Sequence, residues 1–167
     1  QPEVNLGGPV RPTYTDMYAN YPKDAYGNDM PGPDVYRLVG GEVEEMYNSK
    51  PSAYRNACAL RVSRALNYSG VDIPDVAGTF TGADGKNYFL SSHKLYKWMN
   101  SYFGAPDITS VSKLPGNQGV YIMQVNRPAD FGAMGHATLY NGSDCIGGHC
   151  YFNATSGIYK VGLWILP

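Results

Sequence analysis

The sequence predicts an α+β fold in which one helix packs against a small antiparallel sheet. Three observations lead there: helix-spaced apolar residues from Cys58 to Leu66, strand-like runs confined to the last third, and a chain rich in turn formers. Twenty Gly, twelve Pro and fifteen Tyr stand among only 16% charged residues, which describes short elements joined by tight turns. With 167 residues, 43% of them hydrophobic, the chain suits a single domain with one continuous core.

Residues 1–34 carry Pro2, Pro9, Pro12, Pro22, Pro31 and Pro33, so an extended arm packed on the domain is expected. Tyr14, Tyr18, Tyr21 and Tyr26 give that arm apolar surface to bury. From residue 35 to 167 a single domain is expected, opening with a short helix over Val35 to Tyr47. Beyond Lys50-Pro51, Cys58, Ala59, Val62, Ala65 and Leu66 recur at helical spacing behind Asn56, a favourable N-cap, and the helix should end between Asn67 and Gly70. A second helix is predicted from Ser91 or Ser92 to Phe103, closed by Gly104 and Pro106. Strands are predicted at Val120 to Val125, His136 to Tyr140, Tyr151 to Phe152 and Tyr159 to Ile165, with turns at Asn141-Gly142 and Gly147-Gly148.

The net charge of −1 excludes a general electrostatic footprint for nucleic acid. No apolar run approaches the ~20 residues that span a bilayer, and no charged-then-apolar leader opens the sequence, so a soluble chain without membrane insertion is expected. Among the cysteines Cys58 stands alone while Cys145 and Cys150 lie close together, which favours one free thiol and one local disulfide over three reduced thiols. A zinc site built from Cys145, Cys150, His149 and His136 is chemically conceivable, but a second close pair of ligands is missing, and no metal or cofactor is expected.

The chemistry centres on Cys58 and His136. A thiol in the first turn of a helix gains from unpaired backbone N–H groups and the helix dipole, and the Cys58 N–H is placed to meet the oxyanion of a tetrahedral intermediate. His136, behind Gly135 at a strand start, is suited to be general base and then general acid. A cysteine on a helix followed by a histidine on a sheet is the order of papain-like folds. Taken singly, each residue also fits a plain structural role, Cys58 as a buried small apolar residue and His136 as a strand histidine. Tyr54 and Arg55, just before the helix, are candidates for substrate binding, Arg55 because a guanidinium grips carboxylates in bidentate fashion. Arg61, one turn after Cys58, suits packing inside the domain and substrate contact equally.

Several segments resemble the fourth family of type VI secretion amidase effectors, relatives of the NlpC/P60 cell-wall peptidases. They are Asn56-Ala57-Cys58-Ala59-Leu60-Arg61-Val62-Ser63, Ala65-Leu66-Asn67 with Gly70, Gly82 to Tyr88, Phe103-Gly104-Ala105-Pro106-Asp107, Gly135-His136 through Asn141-Gly142-Ser143, the Cys145 and Cys150 pair, and Leu163 to Pro167. The likeness runs from about Val39 to the C-terminus and does not cover the proline-rich arm. It implies a papain-like NlpC/P60-type fold and an antibacterial cysteine amidase that cuts between D-glutamate and meso-diaminopimelate in peptidoglycan stem peptides. It further implies a secreted, monomeric effector delivered into the periplasm of target bacteria, a cognate immunity protein as partner, and a disulfide bracing the active-site loop. Cys58 and His136 match the family's nucleophile and base. One departure concerns the third residue, an aspartate that the family places between the two later cysteines. Here that stretch reads Ile146-Gly147-Gly148-His149, leaving Asp144 as the preferred orienter and His149 as the alternative. Competing readings are a non-catalytic binder of cell-wall glycan or peptide in which Cys58 is structural, and a general papain-type protease.

Overall fold

A computed structural model describes residues 8–167. The arm does not stay extended over its described length, and its portion before Gly8 lies outside the described residues. Helix α1, Tyr14–Asn20, starts where the Thr13 side chain accepts the Asp16 N–H, and it sinks Met17 and the following Tyr21 into the core beside the helix that begins at Cys58. The prolines flank this helix, so their backbone restriction does not oppose it. Tyr14 N–H donates to the Pro167 carbonyl, and Arg11 donates to Asp107 and to the Ile165 carbonyl, which fastens the arm to the C-terminal strand.

The predicted helix over Val35 to Tyr47 is two helices, α2 (Gly32–Val39) and α3 (Gly41–Ser49). The break is at Gly40 and Gly41, with φ of 65° and 61°. A Cβ on Gly41 would stand 2.6 Å from the Gly82 backbone carbon, so the chain is bent to admit the turn at Gly82 and Ala83. A four-residue helix α4, Pro51–Tyr54, leads to α5, Cys58–Tyr68, which is buried along most of its length. The hairpin of β1 (Thr79–Thr81) and β2 (Asn87–Phe89), closed by Asp84-Gly85, was not expected from the sequence. Its strands are too short for a period-2 pattern to register, although Asp-Gly is a turn signal. Ser63 Oγ accepts the Phe89 N–H and Asn67 donates to the Asn87 carbonyl, which moors the hairpin on α5. Helix α6, Ser92–Tyr102, follows as predicted.

Strand β3 (Gln118–Val125) is central to an antiparallel sheet of order β4-β3-β5; the four-residue α7 (Pro128–Phe131) precedes β4 (Gly135–Asn141), and β5 is Ile158–Ile165. Val120, Ile122, Ala137, Leu139 and Trp164 pack with α5 and α6, while Tyr121, Met123, Val161 and Leu163 pack with the disulfide loop. Burial on both faces explains why Val120 to Met123 of β3 reads as a continuous apolar run. The predicted strand at Tyr151 to Phe152 is absent. Tyr151 has φ of 58°, and its predecessor is pinned by the disulfide and by Tyr121 Oη donating to the Cys150 carbonyl, so the chain turns there.

Gly135 shows how tightly β4 is seated: a Cβ there would lie 1.9 Å from the Met123 carbonyl oxygen. Gly135→Ala is therefore expected to destabilise the fold by at least about 3 kcal/mol, read from the midpoint of denaturant unfolding. An unchanged midpoint would contradict this packing.

Candidate active site

Cys58 is the first residue of α5 and is 2% exposed. It packs in one core cluster with Ala137 of the edge strand β4, the residue next to His136. His136 is 6% exposed. Cys58 lines a cleft of about 340 Å³ and His136 an adjoining one of about 400 Å³, and Arg55, Asn56, Gly132 and Ala133 form the wall that both share. Cys58 and His136 thus border adjoining clefts with one wall in common, and no direct hydrogen bond joins them; such bonds commonly shorten only when substrate binds.

Both groups rest in their neutral forms. Burial pushes the Cys58 thiol up from its ordinary value of 9.0, outweighing the Ala137 and Ala59 N–H groups and the Arg61 guanidinium, which pull it down, while Asp29 adds to the rise. The helix terminus alone does not make a resting thiolate. The Cys58 N–H is itself engaged, donating to Asn56 Oδ1 at 3.1 Å, so it must change partner to serve an oxyanion. Burial, then the charges of Arg61 and His149, push the His136 imidazolium down to about 3.

Between about pH 3 and its ordinary 6.5, His136 carries a proton in the unfolded chain that the folded chain lacks. Stability from this group is therefore complete above 6.5, falls as pH drops below it, and levels off near 3. Thermal unfolding measured from pH 7 to 4 is expected to show a smaller acid-induced drop in His136→Asn than in wild type; equal drops would contradict it.

Arg55 is exposed and reaches across the cleft mouth: its Nη2 lies 3.4 Å from where a side chain on Gly132 would begin. Tyr54, half-buried, lines the Cys58 cleft and packs against the cluster containing Leu60 and Tyr36. Arg61 also opens onto the His136 cleft, while its Nε and Nη2 both donate to the Met30 carbonyl. His149 lies in the His136 cleft, with Tyr151 between the two imidazoles: stacked on His149, centroids 5.6 Å apart, and edge-on to His136 at 4.9 Å. Asp144 is not brought to that cleft. It borders a separate groove with Tyr14 and Tyr18, and its carboxylate accepts the Cys145 N–H at 2.8 Å. Cys145 and Cys150 are joined by a disulfide. Among the described residues no group of three or more His, Cys, Asp and Glu converges as a metal site, and no helix is long and apolar enough to cross a membrane.

Sequence reasoning missed Asp29 and Lys94. Lys94 borders the Cys58 cleft from the first turn of α6, and Asp29 borders the His136 cleft from the arm. Neither sits in a motif, and only the tertiary fold carries them to the site.

The family described as type VI secretion system (T6SS), amidase effector protein 4, matches residues 54–164. No curated protein matches the chain. Among solved structures, the type VI effector Tae4 from Enterobacter cloacae is similar with a TM-score of 0.78 and 28% identity, over 96% of this chain and 99% of that one. A chain of the type VI effector-immunity complex Tae4-Tai4 from Salmonella Typhimurium is similar with a TM-score of 0.76 and 27% identity, over 94% of this chain and 99% of that one. A chain of the corresponding complex from Enterobacter cloacae has a TM-score of 0.74 and 26% identity, over 95% and 100%. The α+β architecture expected from the sequence is the one these structures share.

Proposed function

The chain belongs to the type VI secretion system amidase effector 4 family, and on that premise we propose that it is a cysteine amidase cutting the D-glutamyl to meso-diaminopimelate bond of peptidoglycan stem peptides. The observation that supports the mechanism is that Cys58, the first residue of α5, and His136, on β4, line adjoining clefts that share the wall of Arg55, Asn56, Gly132 and Ala133.

His136, neutral at rest, takes the proton from Cys58 as sulfur attacks the amide carbon. The imidazolium then gives that proton to the departing diaminopimelate nitrogen, the carbon–nitrogen bond breaks, and a thioester remains on Cys58. Water, deprotonated by His136, attacks the thioester; the glutamyl carboxylate leaves and the thiol is restored. Arg55 and Tyr54 supply contacts to the peptide along the cleft, the guanidinium suited to one of its carboxylates. Asp144 and His149 are the orienters that the sequence offered, and of the two only His149 shares the His136 cleft.

The same reading has residues 1–34 as an arm seated on a single catalytic domain, delivery into the periplasm of a competing bacterium, and a cognate immunity protein that covers the cleft; the relatives from Salmonella Typhimurium and Enterobacter cloacae form Tae4-Tai4 effector-immunity complexes. The test is incubation with purified tetrapeptide muropeptides and mass analysis of the products. A disaccharide dipeptide ending in glutamate and a free diaminopimelyl-alanine dipeptide are expected. Cleavage elsewhere, or binding without any product, would overturn the reading.

A further inference from the structure

Catalysis through His136 requires an imidazolium to form, if only transiently, in a place that resists one. The ring is buried beside the Arg61 guanidinium and near a second imidazole, His149, and its Nε2 is enclosed with no hydrogen-bond partner among the described residues. A nearby carboxylate is what such a site needs, because a negative charge both orients the ring and stabilises its charged form. The loop between Cys145 and Cys150 contains none, and the carboxylate just before it, Asp144, is turned to the Cys145 N–H in another groove.

The charged and titratable groups around the His136 cleft come from every element that packs there. They are Arg55 ahead of α5, Arg61 on α5, His149 and Tyr151 on the disulfide loop, and Asp29 on the arm, with Cys58 in the adjoining cleft. Asp29 is the sole carboxylate among the residues that line this cleft. Its place is fixed from three sides. The turn that carries it is closed by the Met30 N–H donating to Pro22 and the Asp24 N–H donating to Asn28. Arg61 grips the next carbonyl, that of Met30, with two donors. Tyr21, 2% exposed, donates from its hydroxyl to Asp29 Oδ1 at 2.7 Å and lies 3.3 Å from Thr138 Oγ1 on β4, while Oδ2 makes no hydrogen bond among the described residues.

We propose that Asp29 is a positioning residue for His136: a carboxylate supplied by the N-terminal arm in place of one from the disulfide loop. It offsets the charge of Arg61 and stabilises the imidazolium formed during proton transfer. The arm is then a working part of the active site, locked to β4 through Tyr21 and Thr138. The inference rests on the catalytic reading of Cys58 and His136, so its test includes a readout that needs no turnover.

Asp29→Asn, Asp29→Glu, Tyr21→Phe, Asp144→Asn and His149→Gln are compared with wild type by NMR titration of the His136 imidazole, by kcat and KM on a muropeptide, and by melting temperature. In Asp29→Asn, the His136 titration is expected to move to lower pH by about one pH unit. Its kcat is expected to fall on the order of 100-fold with KM little changed, and Asp29→Glu is expected to recover part of both. A loss of activity and melting temperature in Asp29→Asn without any movement of the His136 titration would overturn the proposal, assigning Asp29 a structural role. So would a titration that moves in Asp144→Asn or His149→Gln but not in Asp29→Asn. A wild type inactive on every muropeptide would defeat the enzymatic reading, and the titration would still decide whether Asp29 and His136 are coupled.

Discussion

Cys58→Ala is expected to lower muropeptide cleavage by on the order of 10⁴-fold or more, with the fold retained. The size follows from what is lost: without sulfur there is no thioester, and a single difficult hydrolysis by water replaces two easier steps. The structural effect is small by comparison. A buried thiol is exchanged for a methyl group at the start of α5, opening a small void of about 1 kcal/mol in effect. Cleavage rate and melting temperature, measured on the same preparation, separate the two. A variant that melts near wild type and still cleaves at a comparable rate would show that sulfur has no part in the reaction.

His136→Ala is expected to reduce the same rate by about 10³- to 10⁴-fold. Because burial holds the Cys58 thiol above its ordinary range, sulfur cannot ionise freely at neutral pH and depends on a base within reach at the moment of attack. A neutral imidazole at neutral pH is suited to that task, and the depressed titration of His136 keeps it neutral. The expected variant is folded, binds muropeptide with little change in KM, and turns over slowly. Raising the pH is expected to recover part of the rate, since hydroxide then takes over the deprotonation of the thiol; a rate that falls further with rising pH would contradict the base assignment.

These expectations were accessible from sequence to different depths. Helix α5 was readable because its apolar residues Cys58, Ala59, Val62, Ala65 and Leu66 recur at helical spacing, and β3 and β5 because short runs rich in β-branched and aromatic residues favour a strand. The Gly40-Gly41 break was not, since its cause is the close approach of Gly82, a contact between segments about forty residues apart. Tyr151 misled because an aromatic pair in a C-terminal region reads as strand, whereas the disulfide and the Tyr121 hydroxyl dictate a turn. The polar surroundings of Cys58 and His136 divide in the same way. Arg55 and Tyr54 are near Cys58 in the chain and so were candidates, while Asp29 arrives on a proline-rich arm whose composition suggested wrapping and gave no hint of α1. The state of the thiol escaped as well, because a helix terminus argues for a lowered value and only the degree of burial, a tertiary property, reverses it.

The claim on which the rest depends is that Cys58 and His136 act as one unit. It is tested most directly by measuring muropeptide cleavage for Cys58→Ala, His136→Ala and the double variant side by side. Groups that share one proton transfer lose their function together, so the double variant is expected to be no slower than Cys58→Ala alone. Losses that multiply, with the double variant slower than either single one by the product of the two factors, would show that the two residues work independently and would contradict the account.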